Sequence, residues 1–169
     1  MMNHRNLNID LCNWVDEQQL DWCIATYSVC GQRSIPVNAF SQLLHTGLSR
    51  LNRKVFGNAH KRYGKQLKRI AVPGGDPLTG TYIHYHLLIE KPPHLDLTTF
   101  NEYADTTWRE TLKAAFPIHH AVTGEVWMES YLGSSKHYLF YTIRAESPIL
   151  GYGVNKIDWD NSYLSPFHS

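Results

Sequence analysis

The stretch TYIHYHLLIEKPPH, residues 81–94, sets two histidines one residue apart in a run of strand-forming residues and closes it with two prolines. Successive side chains of an extended chain alternate faces, so His84 and His86 project from one side and Tyr85 from the other. Their Cβ atoms then lie about 7 Å apart along the strand, close enough for two imidazoles to converge on one divalent cation. The plain alternative is an exposed strand that happens to carry two of the chain's ten histidines.

Working outward, DWCIATYSV alternates and is rich in β-branched and aromatic residues, which predicts a first strand. Residues 1–20 are expected to form a lead-in with a helical turn. Asn38 is a candidate N-cap for a helix with Phe40, Leu43, Leu44, Leu48, Leu51 and Val55 at helical spacing. KQLKRIAVPGG predicts a second strand, broken by Pro73, Gly74 and Gly75. Beyond the histidine strand, Asp96 or Thr98 can cap a helix that ends at Pro117, with Trp108 and Phe116 in the core. The segment IHHAVTGEVWMESYL, with Trp127 also read as core, and part of KHYLFYTIRA predict one or two more strands. A short helical segment, PILGYGVNKIDW, follows. The order β-α-β-β-α-β-(β)-α gives an α+β fold: a two-layer sandwich with a mostly antiparallel sheet and helices on one face, ferredoxin-like in topology.

With 169 residues the chain is expected to be one domain spanning 1–169, large enough for a core of its own. No apolar run approaches the length of a membrane span and no secretory leader is evident, so a cytoplasmic protein without membrane contact is expected. Three cysteines without a C-x-x-C pair argue against a disulfide framework and suit a reducing compartment.

The formal net charge of +1 hides a segregation. Residues 22–75 contain no Asp or Glu, yet hold Arg33, Arg50, Arg53, Lys54, Lys61, Arg62, Lys65, Lys68 and Arg69. A solvated helix face normally mixes signs to gain i,i+4 pairs; a one-signed surface attracts phosphate backbones. Arg50, Arg53, Lys54, Lys61, Arg62, Lys65, Lys68 and Arg69 are therefore candidate nucleic-acid contacts. Tyr63, interleaved among them, is a candidate aromatic for stacking bases of single-stranded DNA. Tyr82 and Tyr85 can stack or pack.

Sixty-six residues after His86, Tyr152 and Lys156 stand at i and i+4, on one face if the segment is helical. With His84-Tyr85-His86 in TYIHYHLLIEKP, the Tyr152-x-x-x-Lys156 spacing and TYSV (residues 26–29) on the first strand, the chain resembles the HUH endonuclease superfamily of rolling-circle replication initiators, relaxases and single-tyrosine transposases. Many initiators have Y-x-x-K, which would put the tyrosine at position 153, a glycine here. The resemblance implies an RRM-like HUH fold and a divalent cation, Mg²⁺ or Mn²⁺, on His84, His86 and an oxygen donor. Glu90, in phase on the same strand face, is one candidate donor; His60, Asp76, His119 and His120 are others. It further implies that Tyr152 attacks a single-stranded DNA phosphate, leaving a covalent 5′-phosphotyrosine and a free 3′-OH, while Lys156 stabilises developing charge. The expected role is replication initiation on an origin or hairpin of a plasmid or phage. A separate helicase is expected, since the chain has no G-x-x-x-x-G-K-[ST]. Relaxase or transposase action uses the same chemistry. From other classes come a non-catalytic nucleic-acid-binding module of this fold and a metal-dependent hydrolase or ribonuclease with water as nucleophile.

Overall fold

A computed structural model describes residues 4–30, 35–76, 81–117, 122–131, 135–144, 150 and 153–164. Four strands, β1 (Trp22–Cys30), β2 (Arg69–Asp76), β3 (Thr81–Glu90) and β4 (Thr123–Ser130), form one antiparallel sheet in the order β2-β3-β1-β4. Helix α2 (Val37–Phe56), continued by the short α3 (Asn58–Tyr63), joins β1 to β2, and α4 (Leu97–Ala115) joins β3 to β4. This is the α+β two-layer arrangement expected from the sequence, with β3 and β1 in the centre.

The layer follows from spacing. Phe40, Leu44, Leu48, Leu51 and Val55 make an apolar stripe on α2, and Phe100, Ala104, Trp108 and Leu112 make one on α4. Both stripes close on Cys23, Ala25, Tyr27, Tyr85, Leu87, Ile89, Val126 and Met128 from one sheet face. Trp108 is fully buried, edge-on to Tyr27 at 5.4 Å, and its Nε1 donates to Ser28 O at 2.8 Å. Truncating a side chain so enclosed costs about 3–5 kcal/mol. Asp96 caps α4 by accepting from Thr99 N at 2.8 Å, as its position before the apolar run predicts.

The opposite sheet face, which carries the histidines, has partial cover of its own. Cys12 and Val15 of helix α1 (His4–Glu17), Leu139 and Ile143 of helix α5 (Ser135–Arg144), and Ile157 pack on Trp22, Ile70, Val72 and Leu88.

Four local expectations change. The N-terminal lead-in is a helix of 14 residues. KHYLFYTIRA supplies helix α5 instead of a strand: Leu139, Thr142 and Ile143 stand at i, i+3 and i+4, and burying that stripe overrides the β-propensity of its aromatic and branched residues. Strand β2 runs through Pro73 to Asp76 because β2 is a sheet edge, where a missing N–H on the outer side leaves no ladder partner unmet. Trp127, read as core, is 55% exposed on the other edge strand. No helix among the described residues is long and apolar enough to cross a membrane.

Candidate functional site

His84 and His86 lie on β3, a central strand of the sheet, and neighbouring strands pair His86 on both sides. His86 is opposite Thr26 of β1 and Val72 of β2, and His84 is opposite Gly74. The two Nε2 atoms face each other at 3.0 Å. Each outer nitrogen has its own partner: His84 Nδ1 donates to Tyr82 O at 3.0 Å, and His86 Nδ1 lies 3.4 Å from Thr26 Oγ1. A carbonyl can only accept, so neutral His84 carries its proton on Nδ1 and keeps a lone pair on Nε2.

Gly74 makes this approach possible. A Cβ there would lie 2.6 Å from His84 Nε2 and 3.1 Å from ring carbons of both histidines. Any side chain at 74 would occupy the space in which the rings meet.

The geometry suits a cation. Two metal–nitrogen bonds of about 2.1 Å at right angles span about 3.0 Å. An oxygen on the far nitrogen of each ring is the outer-shell arrangement that holds ligating histidines in orientation. Burial, then His84, then Lys156 depress the His86 pKa from 6.5 to about 4, so His86 is neutral and ligand-competent at physiological pH. Among the described residues no third His, Cys, Asp or Glu completes a cluster with the pair. Remaining positions would fall to water or substrate oxygen.

Glu90 does not join the pair. It sits four residues further along β3, about 13 Å from His86, and its Oε2 accepts from Lys68 N at 3.2 Å. His60 is engaged in α3, its Nδ1 2.8 Å from Lys65 O. Asp76 ends β2 opposite Thr81 and forms no three-residue cluster with the histidines. His119 and His120 lie outside the described residues, as does Tyr152.

Of the expected helical segment, residues 148, 149, 151 and 152 lie outside the described residues; Gly153–Lys156 form a 3₁₀ turn that ends at Lys156. Its side chain is buried, Nζ donates to Thr142 O at 3.2 Å, and desolvation lowers its pKa. Thr142 lies on α5, which packs on the histidine-bearing face, so Lys156 belongs to that side of the sheet.

Sequence reasoning missed the tyrosine that meets the pair. Tyr138 of α5 packs edge-on to His86 with ring centroids 6.3 Å apart, and it also meets Tyr131 at 6.0 Å. Its hydroxyl is buried without a hydrogen-bond partner among the described residues, and burial, then Glu129, raises its pKa. The signal was there in the helical spacing of Leu139, Thr142 and Ile143, which puts Tyr138 beside the sheet-facing stripe.

The basic residues gather elsewhere. Asn52 of α2 accepts from Leu67 N, and His94 Nε2 is 3.3 Å from Val55 O, so the end of α2 and all of α3 sit at the Glu90 end of β3 in the other layer. Arg53, Lys54, Lys61, Arg62, Lys65 and Tyr63 are exposed there, with Arg50 and Lys68 half-buried. Lys54 lies over the Tyr103 ring at 4.7 Å and Lys65 over Phe56 at 4.9 Å. Arg69 leaves this set. It is buried, its guanidinium donates to Asn161 O and Leu67 O, and desolvation lowers its pKa to about 10, so it holds the C-terminal segment to β2 and is closed to solvent phosphate.

Tyr85, on the opposite face between the histidines, is core: its hydroxyl donates to Asp158 Oδ2 at 2.9 Å. The same carboxylate accepts from Ser41 at 2.6 Å and Asn161 at 2.9 Å, and these bonds outweigh burial to lower its pKa. Tyr82, next to His84 along the face, is exposed.

Comparisons with family models, with curated proteins and with solved structures found no match to this chain.

Proposed function

We propose that the chain is a metal-dependent enzyme that nicks and rejoins single-stranded DNA through a covalent phosphotyrosine, the chemistry of the HUH endonucleases it resembles. The observation carrying this reading is the facing pair of Nε2 atoms, 3.0 Å apart, with both outer nitrogens engaged by oxygen.

A divalent cation on His84 and His86, Mg²⁺ or Mn²⁺, would supply Lewis-acid polarisation of a phosphodiester. The chain's own groups do the rest. A phenol oxygen attacks phosphorus, the P–O3′ bond breaks, and the phenol proton is lost as the departing oxygen leaves as a 3′-OH. Bond energy is kept in the 5′-phosphotyrosine for rejoining. Lys156, buried beside the histidine face, offsets developing negative charge in a poorly solvated setting.

Two tyrosines compete for the nucleophile: Tyr152 on motif spacing and Tyr138 on geometry, since its ring meets His86 at 6.3 Å. We favour Tyr138. A raised pKa disfavours its phenolate, and a nearby dication is what would reverse that. Arg50, Arg53, Lys54, Lys61, Arg62, Lys65 and Lys68 would hold flanking DNA by its phosphates, away from the reacting one. The reading suits initiation of replication for a plasmid or phage, working in the cytoplasm with a separate helicase.

Labelled single-stranded oligonucleotides incubated with the full chain and Mn²⁺, then run on a denaturing gel, test the reading. Labelled protein is expected, with the label on the peptide holding Tyr138. Label at Tyr152 would keep the chemistry and replace the nucleophile. Cleavage without any adduct would favour a water-using hydrolase, and binding with neither would leave a nucleic-acid-binding module.

A further inference from the structure

Across the histidine face, one row of the sheet runs Val72, His86, Thr26, Trp127, each residue opposite the next in register. Trp127 therefore lies on the same face as the imidazoles, two strand spacings or about 10 Å from His86, with only the small Thr26 between. It is 55% exposed, although an indole of this size is ordinarily mostly buried. Its same-face neighbours on β4, Glu125 and Glu129, are exposed carboxylates about 7 Å to either side. Like charges on that strand repel a phosphate backbone and leave the indole as the one attractive surface between them.

We infer that Trp127 is the stacking platform for an unpaired base next to the phosphate at the histidine pair, and that Glu125 and Glu129 select a base bearing an exocyclic amino group. The inference rests on the proposed single-strand chemistry and extends it to a base subsite. An indole offers a π-face to any base, and stacking on an aromatic side chain is tolerant of sequence. The flanking carboxylates add discrimination because they only accept hydrogen bonds. Cytosine N4 and adenine N6 each offer an exocyclic amino group to them, whereas thymine has no exocyclic amine and only its ring N3–H can donate. The division of labour is electrostatic. Backbone stays over β3, base crosses Thr26 to β4.

Fluorescence anisotropy with oligo(dC), oligo(dA) and oligo(dT), in EDTA so that no cleavage intrudes, tests the subsite on the full chain. Trp127→Ala should weaken oligo(dC) binding at least about fivefold. Trp127→Phe should retain most of the affinity, and Trp127→Leu should bind like the alanine variant. Trp159→Ala, which removes another exposed aromatic, should leave binding unchanged. Wild type should prefer oligo(dC) and oligo(dA) to oligo(dT), and Glu125→Gln with Glu129→Gln should shrink that preference. Equal affinity of wild type and Trp127→Ala overturns the stacking role, as does a Trp127→Leu variant that binds like Trp127→Phe. A change in oligomeric state on sedimentation with unchanged DNA affinity would reassign the face to self-association. Indifference to base overturns the role of the acids. Adduct formation by wild type in Mn²⁺, scored separately, reports on the nicking reading whatever these variants do.

Discussion

At the scale of single residues, Gly74 and His86 carry the most exposed parts of this account. Gly74→Ala puts a methyl group 2.6 Å from His84 Nε2, so the rings must part. Mn²⁺ affinity, read by calorimetric titration, should fall about tenfold or more while the fold persists on its edge strand. Unchanged affinity would mean that the rings do not hold the ion in this arrangement. His86 makes a second prediction. Its folded pKa near 4 lies below the unfolded value of 6.5, so the unfolded chain takes the proton first. Stability from this group is therefore full above about pH 6.5 and drains away as pH falls toward 4, by on the order of 2–3 kcal/mol after allowance for its partial exposure. Urea unfolding across that window should show the slope in wild type and lose most of it in His86→Gln. The paired histidines were legible in the sequence because strand alternation alone puts them on one face. Arg69 was not, because a charge count does not reveal that backbone carbonyls will surround a guanidinium. Trp127 had a readable signal that went unused: in GEVWMES the indole alternates in phase with two glutamates, which marks a wet face.

At the scale of elements, α5 and the C-terminal segment decide whether the histidine side can act as a catalytic surface. Tyr138 leaves a buried hydroxyl without a partner among the described residues, and removing such a group relieves a desolvation cost. Tyr138→Phe should therefore match or exceed wild-type stability, by up to about 1 kcal/mol, while losing the covalent adduct. A stable variant that still forms adduct would end the case for this nucleophile. The segment beyond the 3₁₀ turn is fastened to the sheet by Asp158, whose carboxylate gathers donors from α2, β3 and its own segment. Asp158→Ala strands the Tyr85 hydroxyl in the core and should cost about 2–3 kcal/mol in thermal or urea unfolding; a loss below about 0.5 kcal/mol would show that the network does not fasten the segment. Strands β1, β3 and β4 and the two crossover helices were legible because periods of 2 and 3.6 separate there, and β2 was legible as far as Pro73. Helix α5 was not, since aromatic and β-branched residues favour a strand locally, and only a second apolar layer across the sheet makes the helix the better burial.

At the scale of the whole molecule, charge and chemistry occupy different places. The exposed cations of α2, α3 and the approach to β2 sit in one layer at the Glu90 end, while the imidazole pair, Tyr138 and Lys156 belong to the other face. A strand of DNA cut at the histidines would have to wrap an edge of the sheet to reach that basic surface, so the two regions should separate experimentally. Neutralising Arg53, Lys61 and Arg62 together should weaken binding of all sequences alike and flatten the salt dependence, by about 0.7 per lost single-strand phosphate contact. It should leave the rate of cleavage of saturated DNA near wild type. A cleavage defect at saturation would instead place those residues against the reacting phosphate. The central claim, that the facing imidazoles hold a cation beside a nucleophilic phenol, is tested most directly by mapping the covalent product. With Mn²⁺ and labelled single-stranded DNA, wild type should yield a nucleotide-bearing peptide containing Tyr138, and His84→Ala with His86→Ala should yield none at undiminished DNA affinity. An adduct that survives loss of both histidines, or cleavage with no labelled peptide at all, would contradict it.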